Sequence, residues 1–153
     1  MTPAPALSGR IGLLASRFNE AVTTRLLAGA EACLKDRGIP RERTDVLWVA
    51  GAWELPVVAR GLLAAGGYDA LCALGAVVRG ETPHFDFIAG ETARGLMTLQ
   101  VEFGVPVGFG VLTCNSMDQA MARAGGAAGN KGFEAMDAAL GAALAARSPH
   151  GRP

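Results

Sequence analysis

Short apolar segments alternate along this chain with longer segments whose apolar residues recur at helical spacing. The apolar segments predict four strands, at residues 10–15, 45–50, 70–78 and 107–112. The segments between and after them predict five helices. The first covers residues 20–37, the second ends at 65, the third runs from about 86 to 103, and the fourth ends at about 124. The fifth is marked by Phe133, Met136, Leu140 and Leu144. Strands that alternate with helices require crossover connections, so we predict a parallel sheet covered on both faces, an α/β three-layer sandwich.

Particular residues mark where these helices should begin and end. Asn19 is expected to cap the first helix, and Asn115 or Ser116 the fourth. Gly104 is expected to end the third helix, because glycine readily adopts the left-handed conformation of a helix end.

A length of 153 residues fits one domain, and a hydrophobic content of 50% is enough to bury a core. We expect a single domain over residues 9–147, a flexible proline-rich arm over 1–8 and a loose tail over 148–153. The 14 Lys and Arg residues balance the 14 Asp and Glu residues. No charge excess therefore points to nucleic acid or an anionic membrane as a partner.

The chain has no apolar run long enough to span a bilayer, and its first residues lack the features of a signal peptide. We therefore expect a soluble cytoplasmic protein. The three cysteines lack metal-ligand spacing, so neither zinc nor disulfides are expected. Cys33 and Cys72 are interpreted as small buried residues, whereas Cys114 could be a partly exposed thiol near a site.

The densest chemistry lies at residues 75–86, where the third predicted strand breaks into a loop. Gly80 allows a ligand to approach the backbone, Thr82 supplies a hydroxyl, and N–H groups at the start of the next helix can receive a phosphate. His84 can both accept and donate a proton near neutral pH. Taken alone, His84 is explained equally well as a surface histidine at the start of a helix.

The other predicted strands also end in polar or aromatic clusters. The carboxyl ends of parallel strands share one edge, where such sheets bind ligands, so Phe18, Trp53, Glu54, residues 79–84 and Thr113 are expected together. A flat ligand could stack on Phe18 and Trp53, although ordinary loop packing explains either ring alone. Glu54 could bind a polyol or an amine, or could simply complement a helix dipole.

Arg123 and Lys131 flank a glycine-rich joint at residues 125–132. Two cations beside a flexible connection can grip a phosphate, although a solvated pair of charges is the simpler interpretation. The helix after the fourth strand runs back from the strand ends, which places Arg123 roughly 10 Å from that edge. Arg123 would then serve a neighbouring subunit's site, so we predict a homo-oligomer with shared sites.

Five motifs, in order and at family spacing, make nearly the whole chain resemble the 6,7-dimethyl-8-ribityllumazine synthase family. They lie at residues 16–19 (SRFN), 51–56 (GAWELP), 75–86, 109–113 (FGVLT) and 119–132. The resemblance implies condensation of 5-amino-6-(D-ribitylamino)uracil with 3,4-dihydroxy-2-butanone 4-phosphate, the penultimate step of riboflavin biosynthesis. It implies no metal and no organic cofactor. For the sheet we expect the flavodoxin-like strand order 2-1-3-4.

The resemblance also implies roles for individual residues. It assigns the pyrimidine substrate to a first group: Phe18, Ala52, Trp53, Glu54, Ala76, Val77 and Val78. It assigns the phosphate of the second substrate to another group: Glu81, Thr82, Arg123 and Lys131. Phe109 and Arg123 would come from the adjoining subunit, and His84 would move protons.

The family assembles as pentamers with sites between adjacent subunits, and some members form decamers or sixty-subunit shells. We therefore expect a pentamer or a multiple of pentamers. The joint between the last two helices carries no insertion, as in the shell-forming members. Glu81 departs from the small residue that is usual in the family, and a carboxylate there would repel phosphate unless it points away. Only a backbone contact is expected from Glu81.

Two other functions are compatible with parts of the sequence. One is a catalytically lapsed paralogue that binds flavin or only forms a shell, against which the intact His84, Arg123 and Lys131 argue. The other is a flavodoxin-like binding module, whose phosphate loop would follow the first strand. Residues 16–19 lack the glycines and hydroxyls that such a loop needs.

Overall fold

The structure, a computed structural model, describes residues 7–147. The predictions for residues 1–6 and 148–153 lie outside the described residues. One sheet contains four parallel strands: β1 (Arg10–Ser16), β2 (Thr44–Val49), β3 (Tyr68–Val78) and β4 (Val107–Cys114). Their order is β2-β1-β3-β4. The predicted parallel sheet and its 2-1-3-4 order are confirmed.

Five α-helices surround the sheet: α1 (Glu20–Asp36), α2 (Leu55–Ala65), α3 (His84–Phe103), α4 (Met117–Ala122) and α5 (Lys131–Ala146). Helices α1 and α5 pack on one face of the sheet, and α2 and α3 pack on the other. The protein therefore has two cores, one on each side of the sheet, as the α/β sandwich prediction requires.

The central strand β3 supplies side chains to both cores. Cys72 and Leu74 point towards α1 and α5, whereas Leu71 and Ala73 point towards α2 and α3. A strand covered on both faces reads as a continuous apolar run, which is why β3 was recognisable in the sequence. Each fully buried leucine contributes about 1.5–3 kcal/mol through removal of its surface from water.

The start of α5 lies very close to α1. A Cβ at Gly132 would stand 2.0 Å from the carbonyl oxygen of Leu26, so no larger residue fits there. Asn130 caps α5, because its side-chain oxygen accepts hydrogen bonds from Gly132 N at 2.9 Å and Phe133 N at 3.1 Å. This contact fixes the position of Lys131, the first residue of α5.

The glycine-rich joint has more structure than the sequence predicted. It contains a short antiparallel pair of strands, β5 (Ala124–Gly126) and β6 (Gly129–Asn130). Gly125 and Gly129 take φ angles of 97° and 83°, which glycine tolerates and residues with a side chain do not. These glycines are therefore required by the tight turn and do not make the joint loose.

The helix-end predictions are partly confirmed. Gly104 ends α3 in the left-handed conformation, and Ser116 rather than Asn115 caps α4 by accepting a hydrogen bond from Gln119 N. Helix α3 begins at His84, two residues earlier than expected, because Pro83 precedes its first turn. Asn19 does precede α1, but its side chain makes no capping hydrogen bond, so that prediction is wrong.

All three cysteines are free and buried. The expected partial exposure of Cys114 is wrong. Strand β4 runs two residues further than predicted, and Cys114 follows Leu112 on the strand face that packs in the core with α1 and α5. Burial raises the pKa of the Cys114 thiol, which makes it a poor nucleophile. Within residues 7–147, no helix combines the length and apolar character that crossing a bilayer requires.

Candidate active site

The carboxyl ends of β1, β2 and β3 open into a cleft of about 780 Å³, which we call the strand-end cleft. It brings together all the residues expected to bind the pyrimidine, the histidine expected to transfer protons, and one residue expected to bind the phosphate: Phe18, Ala52, Trp53, Glu54, Ala76, Val77, Val78, His84 and Thr82. Three loops, the end of β3 and the first turn of α3 supply them. The carboxyl edge is where ligands bind in sheets of this kind.

Three aromatic rings that line the strand-end cleft are largely exposed: Phe87 of α3, at 66%, and the two rings predicted from the sequence. Phe18 retains 71% and Trp53 56% of its accessible surface. Large rings that are neither packed in a core nor covered by a loop provide surface for a flat ligand. The exposure of Phe18 and Trp53 within this chain argues against the simpler explanation that both rings merely pack against their own loops.

Asn19 fixes the loop that carries Phe18. Its backbone takes a left-handed conformation, with φ at 60°, and its side-chain nitrogen donates to the carbonyl oxygen of Ala76 at 2.9 Å. The backbone N–H of Phe18 donates to Ala50 O at 3.0 Å. The loop after β1 is therefore tied to both neighbouring strands. Asparagine tolerates a left-handed backbone and carries a side-chain donor, both of which this loop uses. The asparagine at this position, which we interpreted as a helix cap, was therefore the sequence signal for the loop contact.

Glu54 lies in a single 3₁₀ turn (Ala52–Glu54) that leads into α2. One of its carboxylate oxygens accepts a hydrogen bond from Gly51 N at 2.9 Å. The interaction closes the start of α2 and holds the side chain at the cleft wall, where it is half-buried. Within residues 7–147 the second oxygen has no hydrogen-bond partner and is available to a ligand, so the two interpretations of Glu54 are compatible.

His84 is exposed and is the first residue of α3. Its backbone N–H lies 3.5 Å from the hydroxyl oxygen of Thr82, at the limit of a hydrogen bond. The positive end of the helix dipole of α3 favours an anion at this position. The imidazole and a candidate phosphate position are therefore adjacent. Glu81 is exposed in the same loop but does not line the strand-end cleft.

The remaining candidate residues lie elsewhere. Phe109, Arg123 and Lys131 line a separate depression of about 610 Å³, which we call the basic pocket. Thr113 also lines the basic pocket, so the structure does not place it with Phe18 and Trp53. The two pockets share no lining residue.

The cations of the basic pocket are only lightly engaged. Arg123 donates from Nη1 to Gln119 O at 3.1 Å, and Lys131 Nζ lies 3.1 Å from Glu134 Oε1. The lysine and glutamate side chains are 41% and 55% exposed, so this ion pair is screened and weak. Arg123 has no carboxylate partner within residues 7–147, and the pair between Lys131 and Glu134, which also lines the basic pocket, is weak enough for an anion to replace it. Phe109 offers a ring that is 45% exposed beside them.

Among residues 7–147, no group of three potential metal-ligating side chains comes together. A third depression, of about 470 Å³, lies between the end of α1 and the start of β2, lined by Lys35, Arg41 and Thr44 among others. It is at the opposite end of the sheet from the strand-end cleft and contains none of the predicted site residues.

The fold and the strand-end cleft define a class: an α/β sandwich with a small-molecule site at the carboxyl edge of its sheet, containing exposed aromatic rings and a histidine. Comparison with known proteins is more specific. The family model for 6,7-dimethyl-8-ribityllumazine synthase matches residues 8–147. The 6,7-dimethyl-8-ribityllumazine synthase of Gemmatimonas aurantiaca is 56% identical over 131 residues, which cover 86% of this chain and 80% of that protein. The chain belongs to the 6,7-dimethyl-8-ribityllumazine synthase family.

Proposed function

We propose that the chain condenses 5-amino-6-(D-ribitylamino)uracil with 3,4-dihydroxy-2-butanone 4-phosphate. The products are 6,7-dimethyl-8-ribityllumazine, phosphate and water, and the enzyme is a transferase of riboflavin biosynthesis. The observation that carries the proposal is the family match over residues 8–147, within which the strand-end cleft keeps Phe18, Trp53 and His84 together. No metal or organic cofactor is needed for this reaction.

The pyrimidine substrate fits the strand-end cleft by its shape and its polar groups. Its flat ring would stack on Phe18 and Trp53, and its ring amide groups would pair with backbone of Val77 and Val78 at the end of β3. The ribityl hydroxyls would lie along residues 52–54. There, the free oxygen of Glu54 can accept a hydrogen bond.

The second substrate brings a phosphate, which would sit at the start of α3 beside Thr82. His84 lies at the same helix start, from which its imidazole would reach the carbon atoms that react. The imidazole would shuttle protons while the amine adds to the ketone, water is lost, phosphate leaves and the ring closes. Much of the acceleration comes from holding two reactants together, which can remove about 7 kcal/mol or more of the barrier.

We further propose a homo-oligomer, a pentamer or a multiple of pentamers, in which the basic pocket of one subunit faces the strand-end cleft of the next. Phe109, Arg123 and Lys131 would then complete the phosphate side of a neighbour's site. Support comes from the separation of the two pockets within one chain and from the lightly engaged cations. A cytoplasmic location is also proposed, because three unpaired cysteines suit a reducing compartment.

The direct test mixes purified protein with both substrates and follows the lumazine chromophore against a reaction without enzyme. Formation above that background supports the proposal. A protein that binds a substrate analogue or flavin tightly but gives no acceleration would instead be a lapsed paralogue. Sedimentation at low protein concentration tests the assembly, and a stable monomer would contradict shared sites.

A further inference from the structure

Arg79, which follows the end of β3, makes three contacts that tie together parts of the site. Its Nε donates to Asn115 Oδ1 at 3.1 Å, just past the end of β4. Its Nη2 lies 3.4 Å from Asp86 Oδ1, in the first turn of α3. Its guanidinium carbon lies 4.4 Å from the centre of the Phe85 ring. Arg79 therefore links β4 to the two residues that directly follow His84.

The contacts differ in strength. The ion pair with Asp86 joins side chains that are 46% and 61% exposed, so alone it stabilises little. The Phe85 ring is buried but belongs to neither core cluster, so the stacked guanidinium is a contact that can hold the ring in place. The backbone N–H of Arg79 also donates to Cys114 O at 2.8 Å, which anchors the arginine itself to β4.

The imidazole of His84 has no hydrogen-bond partner among residues 7–147. Its orientation therefore depends on the backbone of the first turn of α3. That turn follows an exposed loop, from Gly80 to Pro83, which packs little against either core. Apart from the marginal contact of the Thr82 hydroxyl with His84 N, the contacts that Arg79 makes at Phe85 and Asp86 are the nearest ones that can hold this turn in place.

We propose that Arg79 is a positioning residue, which holds the first turn of α3 so that His84 faces the strand-end cleft. This rests on the proposed function, in which His84 transfers protons. The guanidinium suits the task because its planar group donates in two directions while its face stacks on a ring. A lysine at this position would keep the charge but could not make the three contacts together.

The test compares Arg79→Ala, Arg79→Lys and Asn115→Ala with Arg94→Ala. Arg94 is an exposed arginine of α3, paired at 3.8 Å with Glu91, and it lines neither pocket. Thermal unfolding verifies that every variant is folded. Steady-state kinetics with each substrate varied in turn gives kcat and KM separately.

We expect kcat of Arg79→Ala to fall by about tenfold or more, because small misplacements of a reacting group are costly. The KM for the pyrimidine substrate should change by less than about twofold, because Phe18 and Trp53 are untouched. Arg79→Lys should recover only part of kcat, Asn115→Ala should lower it less, and Arg94→Ala should match the wild type. Unchanged kcat in Arg79→Ala, full recovery by lysine, or a rise in KM alone would each overturn the proposal.

A spectroscopic measurement separates this proposal from the proposed function. The chain has two histidines, His84 and His150, so the His84 imidazole signals in a nuclear magnetic resonance spectrum can be assigned with a His84→Gln variant. Arg79→Ala should shift or broaden the His84 signals, and Arg94→Ala should not. Identical His84 signals in Arg79→Ala and wild type would refute positioning. Absence of lumazine synthesis by the wild type would instead refute the function.

Discussion

His84 and Arg123 of one chain line two different pockets, which share no residue. Both are expected to act on the same phosphate-bearing substrate, His84 on its protons and Arg123 on its phosphate. Under the proposed function, a single chain would therefore carry one half of each of two different sites. A ring of identical subunits, each contacting the next through different surfaces, would join the halves into complete sites.

Subunit mixing tests this arrangement directly. Neither His84→Ala nor Arg123→Ala should reach wild-type activity alone, but coexpressed chains should form mixed rings. In a random ring about a quarter of the interfaces pair an intact strand-end cleft with an intact basic pocket, so up to about a quarter of wild-type activity should return. Activity no higher than the average of the two separate variants would show that each chain uses only its own residues.

Replacement of His84 by alanine should slow turnover without abolishing it. A positioned proton-transfer group typically contributes about 10²- to 10⁴-fold, whereas alignment of the two substrates by the rest of the cleft remains. The measurement is the rate of lumazine formation, with a reaction without enzyme as the baseline. If His84→Ala were indistinguishable from that baseline, proton transfer would account for far more of the rate than proposed here.

Replacement of Arg123 by alanine should act mainly on the phosphate-bearing substrate. A charge-assisted hydrogen bond contributes about 1.5–3 kcal/mol, which predicts a rise of roughly 10- to 100-fold in KM for that substrate. The KM for the pyrimidine substrate should stay the same. Arg60→Ala is a matched control, since Arg60 is an exposed arginine on α2 that lines neither pocket. Equal KM values for Arg123→Ala and this control would remove Arg123 from the phosphate site.

Most of the fold was predictable because each strand and helix carries a local hydrophobic pattern. The four strands are flanked by helices of recognisable period, and β3 is apolar along its length because both its faces are covered. The β5–β6 turn was missed since Gly125 and Gly129 have no side chains to show a strand period. The pairing of β5 with β6 depends on the positive φ angles of these two glycines.

The strand-end cleft was predictable because its residues follow strand ends, which the topology brings to one edge. Contacts between distant residues were not. Asn19 donates to Ala76, 57 positions away, and Arg79 donates to Asn115, 36 positions away. From the local sequence alone, such a polar side chain could equally well cap a helix or face solvent. Only the tertiary structure selects their partners.

At the amino ends of the strands, Asp45 predicts a pH dependence of stability. Arg10 donates to both of its carboxylate oxygens, at 2.7 and 2.6 Å, and the Tyr68 hydroxyl donates to one of them at 2.7 Å. The Arg10 and Tyr68 hydrogen bonds lower the pKa of Asp45 from 3.8 to about 2. The folded state thus binds this proton less readily than the unfolded state does.

The sign of the effect follows from that difference. The contribution of Asp45 to the free energy of unfolding is fully present above about pH 4 and decreases as the pH falls towards 2. Asp45→Asn should therefore be less stable than wild type at pH 7, and the gap should narrow between pH 4 and 2. Chemical denaturation across that range measures it, with Glu102→Gln, an exposed carboxylate without an ion pair within residues 7–147, as control. A gap that stays constant down to pH 2 would mean that the ionised Asp45 adds no stability beyond that of its neutral form.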